Sequence, residues 1–379
     1  MSKIWVGETP KTAYIYPTIA CNLKCKMCYS GGNISHEQSS LKEMDIGSYR
    51  IITEKLYNLG VRTFDVSGGE PFLRKDIFTL FEIIKSYSDT VLLVVSNGTL
   101  LRKNTIKNID QLKLIDRLYI SIDSPISQFH NEIRGDLNAF EDSMKGIETL
   151  MEHSYNSLGL NCVIMKDNYH LVEDIIDLAI HKRIKYLNLL RYIDVSNDKE
   201  AFSDQLGELH YEVIYKKILN KLKSIANAEL EEVVLVLPGY CFNMYSKLKG
   251  KEEKSLSVKL IVQFDPIRGC PAFGDSIIVS SDGNVTGCTA MVNRPEFFIG
   301  NIIDEDVEVL LERRNQWRRS LRQREEILKR QGTCSSCDFW WACRGGCPVV
   351  SYKYNDDINK YDPTCSKSIR GNNVTGKTY

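Results

Sequence analysis

From residue 12 to about residue 193, short apolar runs alternate with segments of helical period. Runs rich in Val, Ile and Tyr fall at 12–18, 62–66, 90–96, 117–122, 159–165 and 185–192. Between them lie helical patterns at 44–59, 77–87, 140–153 and 171–181. In the first of these, Ile46, Tyr49, Ile52, Leu56 and Leu59 share one face. Alternation at roughly thirty residues per unit predicts βαβ crossovers and a parallel sheet. Six such units suggest a partial or complete α/β barrel. An open doubly wound sheet has the same periodicity, so the pattern alone leaves both standing.

The pattern changes after Ser196. A long amphipathic helix is expected over 204–227, then a strand over 232–237 and a charged surface connection over 247–259. Further on, 277–280 and 284–287 flank Asp282-Gly283, a turn pair that predicts a β-hairpin. A highly charged helix is expected over 307–330, and 370–379 has the composition of a frayed tail. The expected domains are 1–195, a bridging region 196–262, a cysteine-rich domain 263–369 and the tail.

Composition narrows the function classes. The 379 residues make about two to three domains at ~150 residues each. Hydrophobic residues at 43% and charged ones at 26% are a normal globular balance. Lys+Arg and Asp+Glu both number 49, so no basic bias exists to draw nucleic acid or acidic membranes. Apolar runs such as 91–95 and 233–237 are far shorter than the ~20 residues of a membrane span. The start, Met1-Ser2-Lys3-Ile4, has no apolar signal core. A cytoplasmic location is expected, where thiols stay reduced.

Reduced thiols make the cysteines informative, because disulfides are not expected there. Of twelve, Cys21, Cys25 and Cys28 cluster near the front and Cys334, Cys337, Cys343 and Cys347 near the end. Cys162, Cys241, Cys270, Cys288 and Cys365 are dispersed. Clustering favours metal or iron–sulfur ligation over ordinary core packing. The front triad, spaced C-x3-C-x2-C, directly follows the first expected strand. Loops after strands are where chemistry gathers in α/β folds. A four-iron cluster normally takes four thiolates, so three would leave one iron open. A zinc site completed by His36 is the alternative.

The triad in this setting resembles the radical S-adenosylmethionine (SAM) superfamily, and further segments match in order. Ser67-Gly68-Gly69-Glu70-Pro71 follows the second strand, Ser96-Asn97-Gly98-Thr99 ends the third, and Ser121-Ile122-Asp123 ends the fourth. His130-Asn131-Glu132-Ile133-Arg134-Gly135 comes next. The resemblance implies a partial (β/α)6 radical SAM barrel. Gly68, Gly69 and Glu70 would hold the methionine amine of SAM. Ser96, Asn97, Ser121 and Asp123 would lie near ribose and carboxylate, and Arg134 would face the carboxylate with its planar fork. The family usually has an aromatic residue before the third cysteine. Here that residue is Met27, and Tyr29 is expected to supply the ring beside adenine.

Cys270-x12-Gly283-x4-Cys288, then Cys334-x2-Cys337-x5-Cys343-x3-Cys347 and Cys365, resembles the SPASM extension of radical SAM enzymes. That implies a small α+β domain with two auxiliary clusters, hence three 4Fe-4S clusters in all. By the same resemblance Cys334, Cys337, Cys343 and Cys365 hold the outer cluster, and Cys270, Cys288 and Cys347 the inner one. The inner set has three ligands: either its fourth iron is open, or Cys241 closes it. Cys162 is expected in the core. A small zinc ribbon is the alternative for this segment. The arginine-rich stretch 313–330 reads as a solvated charged face or as a dock for an acidic peptide. Trp340 and Trp341 are expected to pack around a cluster.

The implied activity is reductive cleavage of SAM and abstraction of a substrate hydrogen atom by the 5′-deoxyadenosyl radical, with no catalytic side chain singled out. Relatives with this extension mostly modify peptides, giving oxidised or crosslinked residues (thioether or carbon–carbon). Thr289 after Cys288 counts against the sulfatase-maturing subgroup, whose base there is an aspartate. With about twenty residues before the triad, a separate leader-binding protein is expected if the substrate is a peptide. A reductase, flavodoxin or ferredoxin would supply electrons. A small molecule (sugar or porphyrin) is the second substrate reading, and a non-catalytic iron–sulfur or zinc scaffold the reading from another class.

Overall fold

The computed structural model describes residues 9–28, 43–102, 112–193, 206–225, 229–238, 241–249, 256–265, 270, 272–363 and 365. Tyr29, His36 and the 370–379 tail lie outside them. The strands are β1 (Thr12–Ile15), β2 (Thr63–Val66), β3 (Val91–Ser96), β4 (Arg117–Ser121), β5 (Leu158–Ile164), β6 (Tyr186–Arg191), β7 (Glu232–Pro238), β8 (Lys259–Asp265), β9 (Ser276–Val279), β10 (Asn284–Thr286) and β11 (Gly300–Asn301). The main helices are α1 (Ile46–Asn58), α2 (Ile77–Lys85), α3 (Ser127–Arg134), α4 (Ala139–Glu152), α5 (Val172–His181), α6 (Glu208–Ser224), α7 (Phe242–Leu248) and α8 (Val307–Arg330). Three short helices close the chain: α9 (Gly332–Ser335), α10 (Trp340–Cys343) and α11 (Pro348–Asn355).

The chain divides into two compact units. One takes the described residues up to Ile122, with His130–Gly159 and Ala272–Arg319; the other takes Asp123–Phe129 and the described parts of 160–271 and 320–379. In the first unit the strand order is β11-β10-β9-β1-β2-β3-β4, an open and mostly parallel sheet. β1 pairs with β2 through Thr12↔Thr63, β2 with β3 through Thr63↔Val91, and β3 with β4 through Leu93↔Arg117. In the second unit β6, β7 and β8 pair in parallel, with Tyr186↔Glu232 and Glu232↔Lys259.

Side chains alternate along each strand, and the two faces are treated differently. Ala13, Ile15, Phe64, Val66, Leu92 and Val94 are all buried. They share the core with Ile52 and Leu56 of α1 and Leu80, Phe81 and Ile84 of α2. The opposite face, with Tyr14, Asp65, Leu93 and Val95, is half-buried. Asp45 starts α1 because its Oδ1 accepts the Ser48 amide at 2.8 Å, a side-chain cap. The expected helices and strands are found, with ends moved by a few residues.

Several elements escaped the sequence pattern, among them the short helices α3, at 127–134, and α11, at 348–355. α7 and β8 flank the stretch 247–259 read as a charged connection and overlap it only at its ends. The hairpin is present, with Val285 opposite Val279 and Gly283 at φ +85° in its turn. Its first strand also lies parallel to β1, with Thr12 opposite Ser276. Among the described residues, no helix is long and apolar enough to cross a membrane.

Phe64 is fully buried on β2. Phe64→Ala is expected to lower unfolding stability by about 3–5 kcal/mol, measured by urea denaturation. A loss under about 1 kcal/mol would take Phe64 out of the core.

Candidate functional site

The cysteine triad lies on the loop that leaves β1, and two other segments grip that loop by its backbone. On one side, Gly69 N–H donates to Thr18 O at 2.8 Å and Glu70 N–H to Ala20 O at 2.8 Å. Gly68 has φ +112°, and a Cβ there would lie 2.6 Å from Thr18 O. A Cβ at Gly69 would overlap the Ala20 carbonyl. On the other side, Lys24 N–H donates to Arg134 O at 3.1 Å and Lys26 N–H to Ile133 O at 2.9 Å. These amides satisfy carbonyls that the last turn of α3 would otherwise leave open. Gly135, at φ +69°, comes so close to Lys24 O that a side chain has no room. The space a side chain would need at the paired glycines is filled by the cysteine loop itself.

All three thiols are partly exposed. Burial pushes the Cys21 thiol up to about 12; the Leu23 amide pulls it down, while Glu70, Cys25 and Cys28 add to the rise. A thiolate among such groups is stabilised by a bound cation, as in a metal centre. The Arg134 guanidinium donates to Cys25 Sγ at 3.7 Å. Asn97 Nδ2 points at Cys21 Sγ at 3.9 Å and donates to Asn22 Oδ1 at 2.9 Å. Asn22 Nδ2 in turn donates to Thr99 Oγ1 at 2.8 Å. Asn22 was missed in the sequence, although an amide inside a cysteine motif was a usable signal.

Glu70 is fully buried. Its Oε1 accepts from Ser96 Oγ at 2.8 Å and from the Phe72 amide at 3.2 Å, and its Oε2 from the Asn97 amide at 2.8 Å. A carboxylate offers about four acceptor positions. One therefore remains, on Oε2. Desolvation raises the Glu70 carboxyl to about 7, opposed by these three hydrogen bonds and by the charge of Arg134. Glu70, Ser96, Asn97 and Arg134 thus meet the triad within one unit, and Ser121 is half-buried at the end of β4 in the same unit. Asp123 belongs to the other unit. It is buried, and its Oδ1 accepts the Val163 amide at 2.9 Å. Tyr29 lies outside the described residues. His130 is buried, and burial lowers it to about 3.

Of the later cysteines, Cys334, Cys337, Cys343 and Cys365 line one cavity with Trp340, Gly345 and Tyr361. Burial pushes Cys334 up to about 11 and Cys343 up to about 12. Among the described residues no three His, Cys, Asp or Glu side chains converge as a site for a single ion. Four thiols set around a cavity suit a cluster with atoms of its own between them. Zinc instead draws sulfur ligands to about 2.3 Å from one point. Cys347 opens α11, and its amide donates to Asp362 Oδ2 at 2.9 Å. Asp362 also accepts the Cys365 amide at its carbonyl, at 3.1 Å. Cys270 lies in the second unit with Cys347, and Cys288 in the first. Cys241 is fully buried, as is Cys162 apart from a trace of exposure. Trp341 is 41% exposed, against the expectation that both tryptophans pack inward. The arginine-rich helix also departs from a purely solvated face: Arg314 and Arg324 are buried.

Residues 15–179 match the radical SAM superfamily. Residues 270–338 match SPASM, an iron-sulfur cluster-binding domain. The chain is therefore a radical SAM superfamily enzyme with a C-terminal SPASM domain, and SAM and iron–sulfur clusters are the cofactors of such domains. An AdoMet-dependent heme synthase of Methanosarcina barkeri is 26% identical over 350 residues, covering 92% of this chain and 94% of that protein. The structure of Streptococcus suis SuiB bound to precursor peptide SuiA aligns with TM-score 0.72 at 18% identity, covering 94% of this chain and 76% of SuiB. The structure of anSMEcpe with bound AdoMet gives TM-score 0.67 at 19% identity, covering 96% of each chain. The structural likenesses establish the shared fold.

Gly69→Ala drives a methyl group into the Ala20 carbonyl. It is expected to cost about 1–3 kcal/mol in thermal or urea unfolding and to lower the iron bound at the triad. Wild-type iron content and stability would show that the two backbones need no such approach.

Proposed function

We propose that the chain uses SAM to start radical chemistry on a peptide substrate, giving an oxidised or crosslinked residue. Cys21, Cys25 and Cys28 would hold one 4Fe-4S cluster. Cys334, Cys337, Cys343 and Cys365 would hold the outer auxiliary cluster. Cys270, Cys288 and Cys347 would hold the inner one, either open at its fourth iron or closed by Cys241. The observation that carries the reading is the gathering of the triad, Glu70, Asn97 and Arg134 around one loop at the end of a parallel sheet. When bound, the triad cluster supplies the electron that splits SAM into methionine and a 5′-deoxyadenosyl radical, which takes a hydrogen atom from the substrate.

The chain's own part is binding and orientation. Glu70 Oε2 has one acceptor position left, and the amine of SAM there would hold the carboxyl in its ionised form. Gly68 and Gly69 bring backbone beside it, and Ser96 and Asn97 fix the carboxylate from the other side. Arg134 offers a fork to the carboxylate of SAM while touching Cys25. Ser121 and Asp123 are assigned to the ribose side and Tyr29 to the adenine. In this reading the enzyme is cytoplasmic. A separate protein presents the leader of the peptide, and a reductase, flavodoxin or ferredoxin donates the electron.

A second substrate reading has its own support. A heme synthase aligns over 92% of this chain at 26% identity, and an Fe-coproporphyrin III synthase of Methanosarcina barkeri over 92% at 22%. A tetrapyrrole is therefore the small-molecule alternative. Reduced, reconstituted protein incubated with SAM and either a candidate precursor peptide or Fe-coproporphyrin III separates the two. A mass change in the peptide supports the first reading. Conversion of the porphyrin alone overturns it.

Three kinds of substitution test the cofactor assignment. Changing Cys21, Cys25 or Cys28 to Ala is expected to abolish 5′-deoxyadenosine release, followed by chromatography; retained release would remove the triad. Glu70→Gln is expected to weaken equilibrium SAM binding by about tenfold or more, since a hydrogen bond to a charged group contributes about 1.5–3 kcal/mol. Unchanged affinity would place Glu70 outside the cofactor site. Cys343→Ala is expected to lose about four irons per chain by metal analysis, and an unchanged content would take Cys343 off the ligand set.

A further inference from the structure

The inner face of α8 carries Leu310, Leu311, Arg314, Leu321, Arg324 and Leu328, all buried. Arg324 is 2% exposed and sits where the helical pattern calls for an apolar residue. Burying a cation costs several kcal/mol unless it is well paired. Arg324 has five partners, and each is a neutral oxygen. Its Nε donates to Ile358 O and one terminal nitrogen to Arg344 O at 3.3 Å. The other terminal nitrogen donates to Gly345 O at 2.8 Å, Lys360 O at 3.0 Å and Ser351 Oγ at 3.2 Å. Among the described residues no carboxylate forms an ion pair with it. The neighbouring Glu325 is bonded to Arg344 instead, at 3.3 Å. The guanidinium is solvated by carbonyl dipoles and one hydroxyl.

Those carbonyls come from two particular stretches. Arg344 and Gly345 follow Cys343, and Ile358 and Lys360 precede Cys365. Gly345 lines the same cavity as Cys334, Cys337, Cys343 and Cys365. A Cβ on Gly345 would lie 3.2 Å from the guanidinium, so the charge rests directly against the cavity wall. A cluster held by four thiolates is an anion, and it gains one more negative charge when it accepts an electron. Its potential is set by net charge, hydrogen bonding and exposure.

We propose that Arg324 is the built-in counter-charge of the outer cluster, favouring its reduced form and pinning the two turns that deliver Cys343 and Cys365. The proposal rests on the assignment of those four cysteines to one cluster. It concerns a one-electron step: the cluster gains one electron from an external donor, and no proton or group moves.

The test uses the full chain, reconstituted with iron and sulfide, as wild type, Arg324→Gln, Arg324→Lys and Cys343→Ala. Iron content is measured, and each protein is titrated with dithionite under electron paramagnetic resonance. The Cys343→Ala spectrum identifies the outer signal by its loss. The expected result is an outer potential in Arg324→Gln lowered by at least about tenfold in the one-electron equilibrium, about 59 mV. Arg324→Lys should stay closer to wild type, and the SAM-responsive signal should not move. Iron loss from the Gln variant that the Lys variant restores also supports the proposal. A fully loaded Gln variant with unshifted potential overturns it, as do equal shifts or equal iron loss in both variants. If Cys343→Ala does not lower the iron content, the outer-cluster assignment itself fails, and the role of Arg324 fails with it.

Discussion

The site depends on how closely three stretches of backbone approach one another. The loop from Thr18 to Cys28 is held at one end by amides of Gly69 and Glu70, and in its middle by the last carbonyls of α3. Neither grip tolerates a Cβ at the contact: Gly69 faces Ala20 O, and Gly135 faces Lys24 O. Backbone donors and acceptors must find partners when removed from water. Here the helix end and the loop satisfy each other. The loop that carries the cysteines is held in place by these main-chain hydrogen bonds. A constellation whose framework is fixed beforehand loses less on binding.

Electrostatics follow from the same packing. Glu70 is buried with three donors on it, and desolvation still wins, raising it to about 7. Two groups can compensate that cost: the nearby Arg134, whose charge lowers it, and a cationic ligand at the remaining position on Oε2. Cys21 shifts in the same direction, since burial first, and then the charges of Glu70, Cys25 and Cys28, disfavour its thiolate. A site that penalises its own anions when empty gains most from binding positive groups. The arrangement of these residues is thus coherent with a metal at the thiols and an ammonium at the carboxylate.

Much of this was legible because it is local. The alternation of Ala13 and Ile15 with Tyr14, or of Phe64 and Val66 with Asp65, is a period that a strand must show. The motifs at 67–71 and 96–99 could be placed because they follow such runs. What stayed hidden depends on distant partners. Nothing around Ser276–Val279 says that this strand lies against β1. Nothing in the Gly68-Gly69 pair tells a ligand from a neighbouring carbonyl, since both require the same missing Cβ. The short helix α3 was invisible by length, although its final Arg134-Gly135 was recognised as a motif.

The charged helix α8 shows where reading by residue type fails and reading by position succeeds. Its many arginines and lysines make it look solvated, and Arg313, Arg319, Arg322, Lys329 and Arg330 are indeed exposed. Yet Leu310, Arg314, Leu321, Arg324 and Leu328 recur at steps of three, four or seven, the spacing of a single buried stripe. An arginine can hold such a position because its long stem packs like an aliphatic chain while its planar head spreads five donors. Arg314 reaches Gly274 O, and Arg324 reaches four carbonyls around the C-terminal cysteines. The helix therefore acts as a rod that carries fixed positive charge into a region rich in thiols. A chain of zero net charge can hold such a local field, because the sum over all residues says nothing about which charges water can reach.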